Sequence, residues 1–321
     1  MMCRCNKQFT CLLLLVLASP AFSSKLEDYD GQFVLRLGNR NFIVLNLGVA
    51  GARRTGTISR PRHSSLGAGF TNISADILTA SITSARLVKD HLSFVATDPG
   101  NPSDTDAYDL TLRSSSQASL QLSGVPIDPW ALDRVPVVPL LRVSKNWNPN
   151  RVYHPGESNQ SNPEMQRIMD ADQAVRQTLK LSSLPWAEID RQDAERRNQV
   201  LALLKNNALH SGKDFEQAAF VLQHGVGPND YLLAHTLAMI ALSRGNGGAV
   251  WIATATLDRY LQSVKQPQIY GTQFNTDAAG MWTQDPYDRD LLSDSLRRQL
   301  SVPARAAQQK QLDQYKKENR R

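Results

Sequence analysis

Seven prolines between Val125 and Pro163 (Pro126, Pro129, Pro136, Pro139, Pro149, Pro155 and Pro163) divide this chain more sharply than any other feature. Proline lacks a backbone donor and fixes φ, so so dense a run is expected to exclude regular sheet and long helix and to act as a junction. The two sides differ in period. Before it, Phe33, Leu35 and Leu37 alternate with Val34 and Arg36, and Tyr108, Leu110 and Leu112 alternate with Asp109, Thr111 and Arg113. Alternation of this kind buries one face of an antiparallel sheet. Seven or eight short strands fit before Gly124, which predicts a small antiparallel β-barrel or sandwich.

After Pro163 the apolar spacing becomes three and four. Met165, Ile168 and Met169 open one helix that runs through Asp172 and Arg176, and Pro185 suits the first turn of a second bearing Ile189, Val200, Leu201, Leu203 and Leu204. Phe215, Ala218, Ala219 and Leu222 mark a third, and Asp230 is placed to cap a fourth through Leu233, Leu237 and Ile240. A fifth runs from about Gly248 through Leu261. Short connections make neighbouring helices antiparallel, so an all-α helical bundle is expected. The fold class predicted is α+β multidomain: a β-rich module over 24–124, the junction over 125–163, a helical domain over 164–300 and a basic polar tail over 301–321.

The first residues carry Arg4 and Lys7, then an apolar run from Cys11 to Ala18 and small residues at Ser19-Pro20-Ala21-Phe22-Ser23. This is the pattern of a secretory signal peptide over 1–23, too short to span a bilayer, and it predicts a secreted or periplasmic protein with no membrane span. Cys3, Cys5 and Cys11 all lie in that segment. The mature chain is therefore expected to have neither disulfide nor thiol chemistry.

The formal charge of +6 suggests nucleic acid until it is located. Two units belong to the signal and four to the tail after Pro303, which leaves the region between them neutral. A phosphate backbone needs a positive field over a folded surface, so no nucleic-acid partner is expected. The tail reads as a frayed, solvated helix end or as a contact for an anionic surface.

No Gly-x-Ser-x-Gly elbow, His-Glu-x-x-His helix or Gly-Lys-Ser/Thr phosphate loop is present, and Gly225-Val-Gly227 lacks the third glycine of a dinucleotide fingerprint. With six scattered histidines, no cofactor and no metal are expected. What remains is a set of polar residues near helix ends: Asp172, Gln173 and Arg176; Gln223 and His224; Asp258 and Arg259; and Gln268-Ile-Tyr270-Gly271-Thr272-Gln273. In order and spacing these resemble the marks of an uncharacterised bacterial domain family of unknown function, over about residues 165–274. The resemblance implies a domain and no activity.

Each residue has two readings. His224 is either a general base or ligand anchor, or a histidine interacting with the negative end of a helix dipole. Asp258 borders the core and orients His224 or Arg259, or else forms a structural ion pair. Asp172 and Arg176, four apart, suit a stabilising pair, and His235 a packed interior histidine. Tyr270-Gly271-Thr272 reads as a tight turn whose neighbours Gln268 and Gln273 either satisfy buried backbone or line a pocket. Two functions follow. One is a binding protein that holds a small polar ligand or peptide near His224, Arg259, Gln268, Tyr270 and Gln273, with Asp172, Gln173 and Arg176 beside them. The other is a hydrolase or transferase with His224 as base and Asp258 orienting it. In both, His224, Asp258, Arg259, Tyr270 and Gln273 are expected to meet at one end of the helices.

N-terminal sequencing of exported protein should give a mature chain beginning near Ser24; retention of Cys3 or Cys11 would refute the signal assignment.

Overall fold

The structure, a computed structural model, describes residues 25–50, 53–66, 69–139, 141–177 and 186–318. The expected signal peptide, Pro185 and the terminal Arg320 and Arg321 lie outside the described residues.

Eight strands close a barrel: β1 Gly31–Leu37, β2 Arg40–Ala50, β3 Arg53–Pro61, β6 Ile77–Val88, β7 His91–Asp98, β8 Asn101–Leu112, β9 Gln117–Leu122 and β10 Trp130–Val135. Their order around it is β1-β10-β9-β8-β7-β6-β3-β2, and two two-residue strands, β4 Ser65–Leu66 and β5 Phe70–Thr71, form a separate hairpin. The architecture is therefore the barrel of the two expected forms. The alternation read from sequence is the inside–outside pattern: Leu92, Phe94 and Ala96 on β7 are buried, as are Tyr108, Leu110 and Leu112 on β8. The antiparallel register sets Phe94 opposite Tyr108 and Leu92 opposite Leu110, and the two rings stack at 5.5 Å.

Closure depends on a strand that the proline count excluded. β10 lies inside the expected junction and pairs with both β1 and β9, so regular sheet does form there. The reason is spacing: Pro129 and Pro136 flank the strand, leaving six consecutive residues with free donors.

The chain divides into two compact units. One is built on Leu45–Ile58 and Thr79–Leu140 with residues up to Val34; the other holds Leu35–Val44, Ser59–Leu78 and Leu141–Arg321. Within the second, the later part of the proline-rich stretch is packed. Trp147 meets Phe42 at 5.8 Å and Tyr153 at 5.1 Å, edge-on in both cases, and buried Glu157 binds Arg151 at 2.7 Å.

The helices of this unit are α1 Pro163–Gln177, α2 Trp186–Lys205, α3 Gly212–Leu222, α4 Pro228–Ser243, α5 Val250–Ser263, α6 Asp294–Gln299 and α7 Arg305–Glu318. Small residues let the central helices approach. Ala218, Ala219, Ala234, Ala238, Ala241 and Ala253 are all buried, and α4 packs between α3 and α5. The fourth helix starts differently from the sequence reading. Gly227 is its cap, Pro228 fills its first position, and Asp230 sits in the first turn, where its carboxylate accepts the Val226 N–H at 2.9 Å.

The expectation of an all-helical second half fails after Ser263. β11 Asn275–Thr276 pairs with β12 Trp282–Thr283, and Gln268 bridges to Tyr287. Nor is the tail a frayed end throughout. α7 buries Gln308 and Leu312, and Tyr315 packs against Phe274 at 5.3 Å and Trp282 at 5.1 Å. Among the described residues no helix is long and apolar enough to cross a membrane.

One carboxylate sets where two helices begin. Asp214, wholly buried, accepts the N–H of Asn162 at 2.8 Å, of His210 at 3.0 Å and of Ser211 at 2.9 Å, while Ser211 Oγ accepts the Asp214 N–H. Asn162 in turn caps α1 through the N–H groups of Glu164 and Met165. Asp214→Ala should therefore lower the unfolding free energy by roughly 2–4 kcal/mol, since several buried donors lose one acceptor. Urea denaturation checks this; a change below about 0.5 kcal/mol, the level of an ordinary surface substitution, would show that the acceptor is replaceable.

Candidate functional site

The site grows from charged residues set on apolar stripes. On α1, Asp172 follows Met165 and Ile168 at helical spacing; on α2 the buried positions are Ile189, Asp193, Arg196 and Val200, four, three and four apart. Helical periodicity thus drives two carboxylates and a guanidinium into the interface of α1 and α2. They are paired there. Arg176 binds Asp172 at 3.0 Å and Asp193 at 2.7 Å, Arg196 donates to Asp193, and Gln173 donates to the second oxygen of Asp172 at 2.9 Å. Burial raises the Asp172 carboxyl above its ordinary value, against the pull of Arg176 and Arg196.

His224 enters this cluster from just past the end of α3. Gly225 makes the turn possible, because a side chain there would overlap Asp230, its Cβ only 2.1 Å from that of Asp230. Arg197 holds the His224 carbonyl at 2.6 Å, and Tyr231 OH donates to the Gly225 carbonyl at 2.8 Å. The ring lies with Nε2 3.8 Å from Asp172 Oδ2, beyond hydrogen-bond reach, and that nitrogen is buried without a partner. Burial lowers the imidazole to about 3, assisted by Arg176, Arg259 and Arg196 and opposed by Asp193. The ring is neutral at neutral pH. The helix-dipole reading needs an imidazolium and is not supported by this environment.

Arg259, on α5, completes the group. Burial lowers its guanidinium, with Arg176 adding to the effect and Tyr231 opposing it, and its Nε is buried with no hydrogen-bond partner. The side chains of His224 and Arg176 keep 19% and 25% of their exposure, so solvent reaches the cluster at one edge.

The other expected site residues form a separate, closed network. Asp258 is wholly buried; its carboxylate accepts the N–H groups of Ile269 at 2.8 Å, Tyr270 at 3.0 Å and Thr272 at 2.9 Å, and the Thr272 hydroxyl at 2.8 Å. It therefore holds the Tyr-Gly-Thr turn and does not orient His224. Gln268 accepts the Gln273 N–H and donates to the carbonyls of Gln273 and Gln284; Gln273 donates to the Ala255 carbonyl. The Tyr270 carbonyl accepts from Arg297 at 2.6 Å and Gln308 at 2.7 Å. Gly271 has φ +73°, and an added Cβ would stand 2.5 Å from Gln308 Oε1 and Tyr287 OH, so geometry and space both demand glycine. The expected single cluster is thus two: His224 and Arg259 with Asp172, Gln173 and Arg176, and Asp258 with Gln268, Tyr270 and Gln273. In the second, Gln268 and Gln273 satisfy buried backbone.

Sequence reasoning missed Asp193, Arg196 and Arg197 in the first network and Gln284, Tyr287, Arg297 and Gln308 in the second. Asp193 and Arg196 had a readable signal, since they occupy the positions of α2 where the stripe requires apolar residues. His235 Nδ1–H donates to the Ala253 carbonyl at 2.9 Å, and the ring is half-buried between α4 and α5. Among the described residues no group of three His, Cys, Asp or Glu side chains could hold a metal ion. On the barrel, a cavity of about 450 Å³ is lined by Arg86, Ser93, Tyr108 and Asp109 among others, but the Asp109 carboxylate is already engaged by the hydroxyls of Ser93 and Ser123. Comparison of the chain with protein-family models, curated proteins and solved structures finds no match.

The lowered His224 pKa has a consequence for stability. The unfolded chain takes up this proton near the ordinary 6.5 and the folded one only near 3, so the contribution is complete above pH 6.5 and is lost as pH falls toward 3. At pH 5 the loss amounts to roughly 2 kcal/mol. The raised Asp172 acts in the opposite sense, but His224→Asn retains it. Wild type should therefore lose more stability between pH 7 and pH 5 than His224→Asn does; parallel pH profiles would contradict a neutral, buried ring.

Proposed function

We propose that this chain is an exported binding protein whose helices α1–α5 form a bundle, with a small polar ligand held at the His224 and Arg259 edge of the charged cluster. In this reading residues 165–274 are the uncharacterised bacterial domain they resemble, and the marks divide by role. Asp258 and Gln268 to Gln273 build the scaffold; Asp172, Gln173, Arg176, His224 and Arg259 face the ligand.

The observation that carries the reading is the pair of unsatisfied groups. In a cluster where Arg176 bridges Asp172 and Asp193, the Nε of Arg259 and the Nε2 of His224 are buried with no partner; the Nε of Arg196 also lacks a hydrogen bond, but it lies 3.5 Å from Asp172 Oδ1 as an ion pair. An unpaired buried polar group costs free energy, so its retention is accounted for when a ligand supplies the missing partner. The catalytic alternative has less behind it. A histidine held to about 3 is a poor match for proton transfer at neutral pH, and the carboxylate expected to orient it is committed to the 269–272 turn.

The test needs no ligand. If Arg259 is kept for binding, Arg259→Met should leave the melting temperature unchanged or raise it, because a guanidinium whose Nε is buried without a partner is replaced by an apolar side chain of similar length. A fall of several degrees would make Arg259 a structural strut and remove the basis of the reading.

A further inference from the structure

The chemistry of the empty valences points to one kind of ligand. The charged groups that face the His224 ring from α1, α2 and α5 are Asp172, Arg176, Asp193, Arg196 and Arg259, while half-exposed Arg197 meets only the His224 backbone carbonyl. Three guanidiniums stand against two carboxylates, and the imidazole between them is neutral. One positive charge is left over in a desolvated cluster, where charge is expensive unless paired.

What is left over on Arg259 is all donor, and His224 Nε2 joins it in the tautomer that carries the ring proton there. The two aspartates accept from Arg176, Arg196 and Gln173, and the Tyr231 hydroxyl is spent on the Gly225 carbonyl. The Nε of Arg259 is buried with no hydrogen-bond partner and belongs to a planar fork of N–H groups; His224 can offer one ring N–H. A single negative charge carried on two coplanar oxygens answers both deficits, since it neutralises the surplus and accepts from a guanidinium side-on.

We propose, resting on the binding reading above, that this site takes the carboxylate group of a small organic acid or of a peptide, with Arg259 as its principal donor and His224 as a second. Arg176 and Arg196 do not bind it; they hold Asp172 and Asp193 and add to the positive field. The ligand enters past the partly exposed edges of His224 and Arg176.

Acetate and acetamide have nearly the same shape and differ in charge, so they make the decisive pair of probes. Thermal melts of the mature protein should show a saturable upward shift with sodium acetate beyond that with sodium chloride at equal ionic strength, no shift with acetamide, and loss of the acetate shift in Arg259→Met. At neutral pH the His224 ring resonances should move with acetate and stay in place with acetamide, a readout that does not depend on the variant folding. An acetate effect that equals chloride, or that survives in Arg259→Met, overturns the inference. Arg259-dependent stabilisation by acetamide, or by phosphate without acetate, also overturns the carboxylate assignment while leaving the binding site standing. If no probe acts and Arg259→Met melts lower than wild type, both the inference and the binding reading fall.

Discussion

Two aspartates and two arginines, shared between α1 and α2, are the interaction on which the rest of the helical unit depends. Arg176 reaches across to bind Asp172 and Asp193 at once, and Arg196 returns to Asp193 from its own helix. Taking four charges out of water costs several kcal/mol for each ion, and only near-complete pairing repays it. The arrangement therefore tolerates few positions of α1 against α2. A purely apolar interface could slide by a turn; this one would strand a buried carboxylate if it did. Specificity of packing and the cost of charge burial are here the same fact.

The second polar network differs in kind. Both oxygens of Asp258 accept from the 269–272 turn, and Gln268, Gln273, Gln284 and Gln308 spend their amides on backbone or on the hydroxyls of Thr272 and Tyr287. Such a network closes on itself, so its polar atoms explain themselves as replacements for backbone partners in a segment with almost no regular structure. The first network does not close. The contrast between a satisfied set and one with open donors, inside one folded unit, is what separates scaffold from candidate site.

Sequence pattern carried the coarse fold because both periods were clean. Alternation along β7 and β8 is the barrel wall, and the three-and-four spacing of Phe215, Ala218, Ala219 and Leu222 is the buried face of α3. It failed where a local rule met a longer-range one. Prolines forbid strand at their own positions, yet six residues between Pro129 and Pro136 suffice for the strand that closes the barrel. Asp230 looked like a cap because it precedes the apolar stripe, but Pro228 had already fixed the first helical position. The site was half legible for a related reason. Its residue types could be read, whereas their partners are set by which helix faces which: Asp172 meets α2, and Asp258 meets a turn eleven to fourteen residues further on.

The two networks are joined through α5. Asp258 and Arg259 are consecutive, and consecutive residues of a helix point about 100° apart, so one can face the 269–272 turn while the other faces the His224 cluster. The four hydrogen bonds at Asp258 fix the rotation of α5 about its axis. Once that rotation is set, the direction of Arg259 is set as well, and a long side chain whose Nε has no hydrogen bond is aimed without that nitrogen being tied. Aiming by a rigid neighbour leaves the guanidinium's donors free, whereas aiming by direct hydrogen bonds would have consumed them. The closed network is thus what allows the open one to stay open.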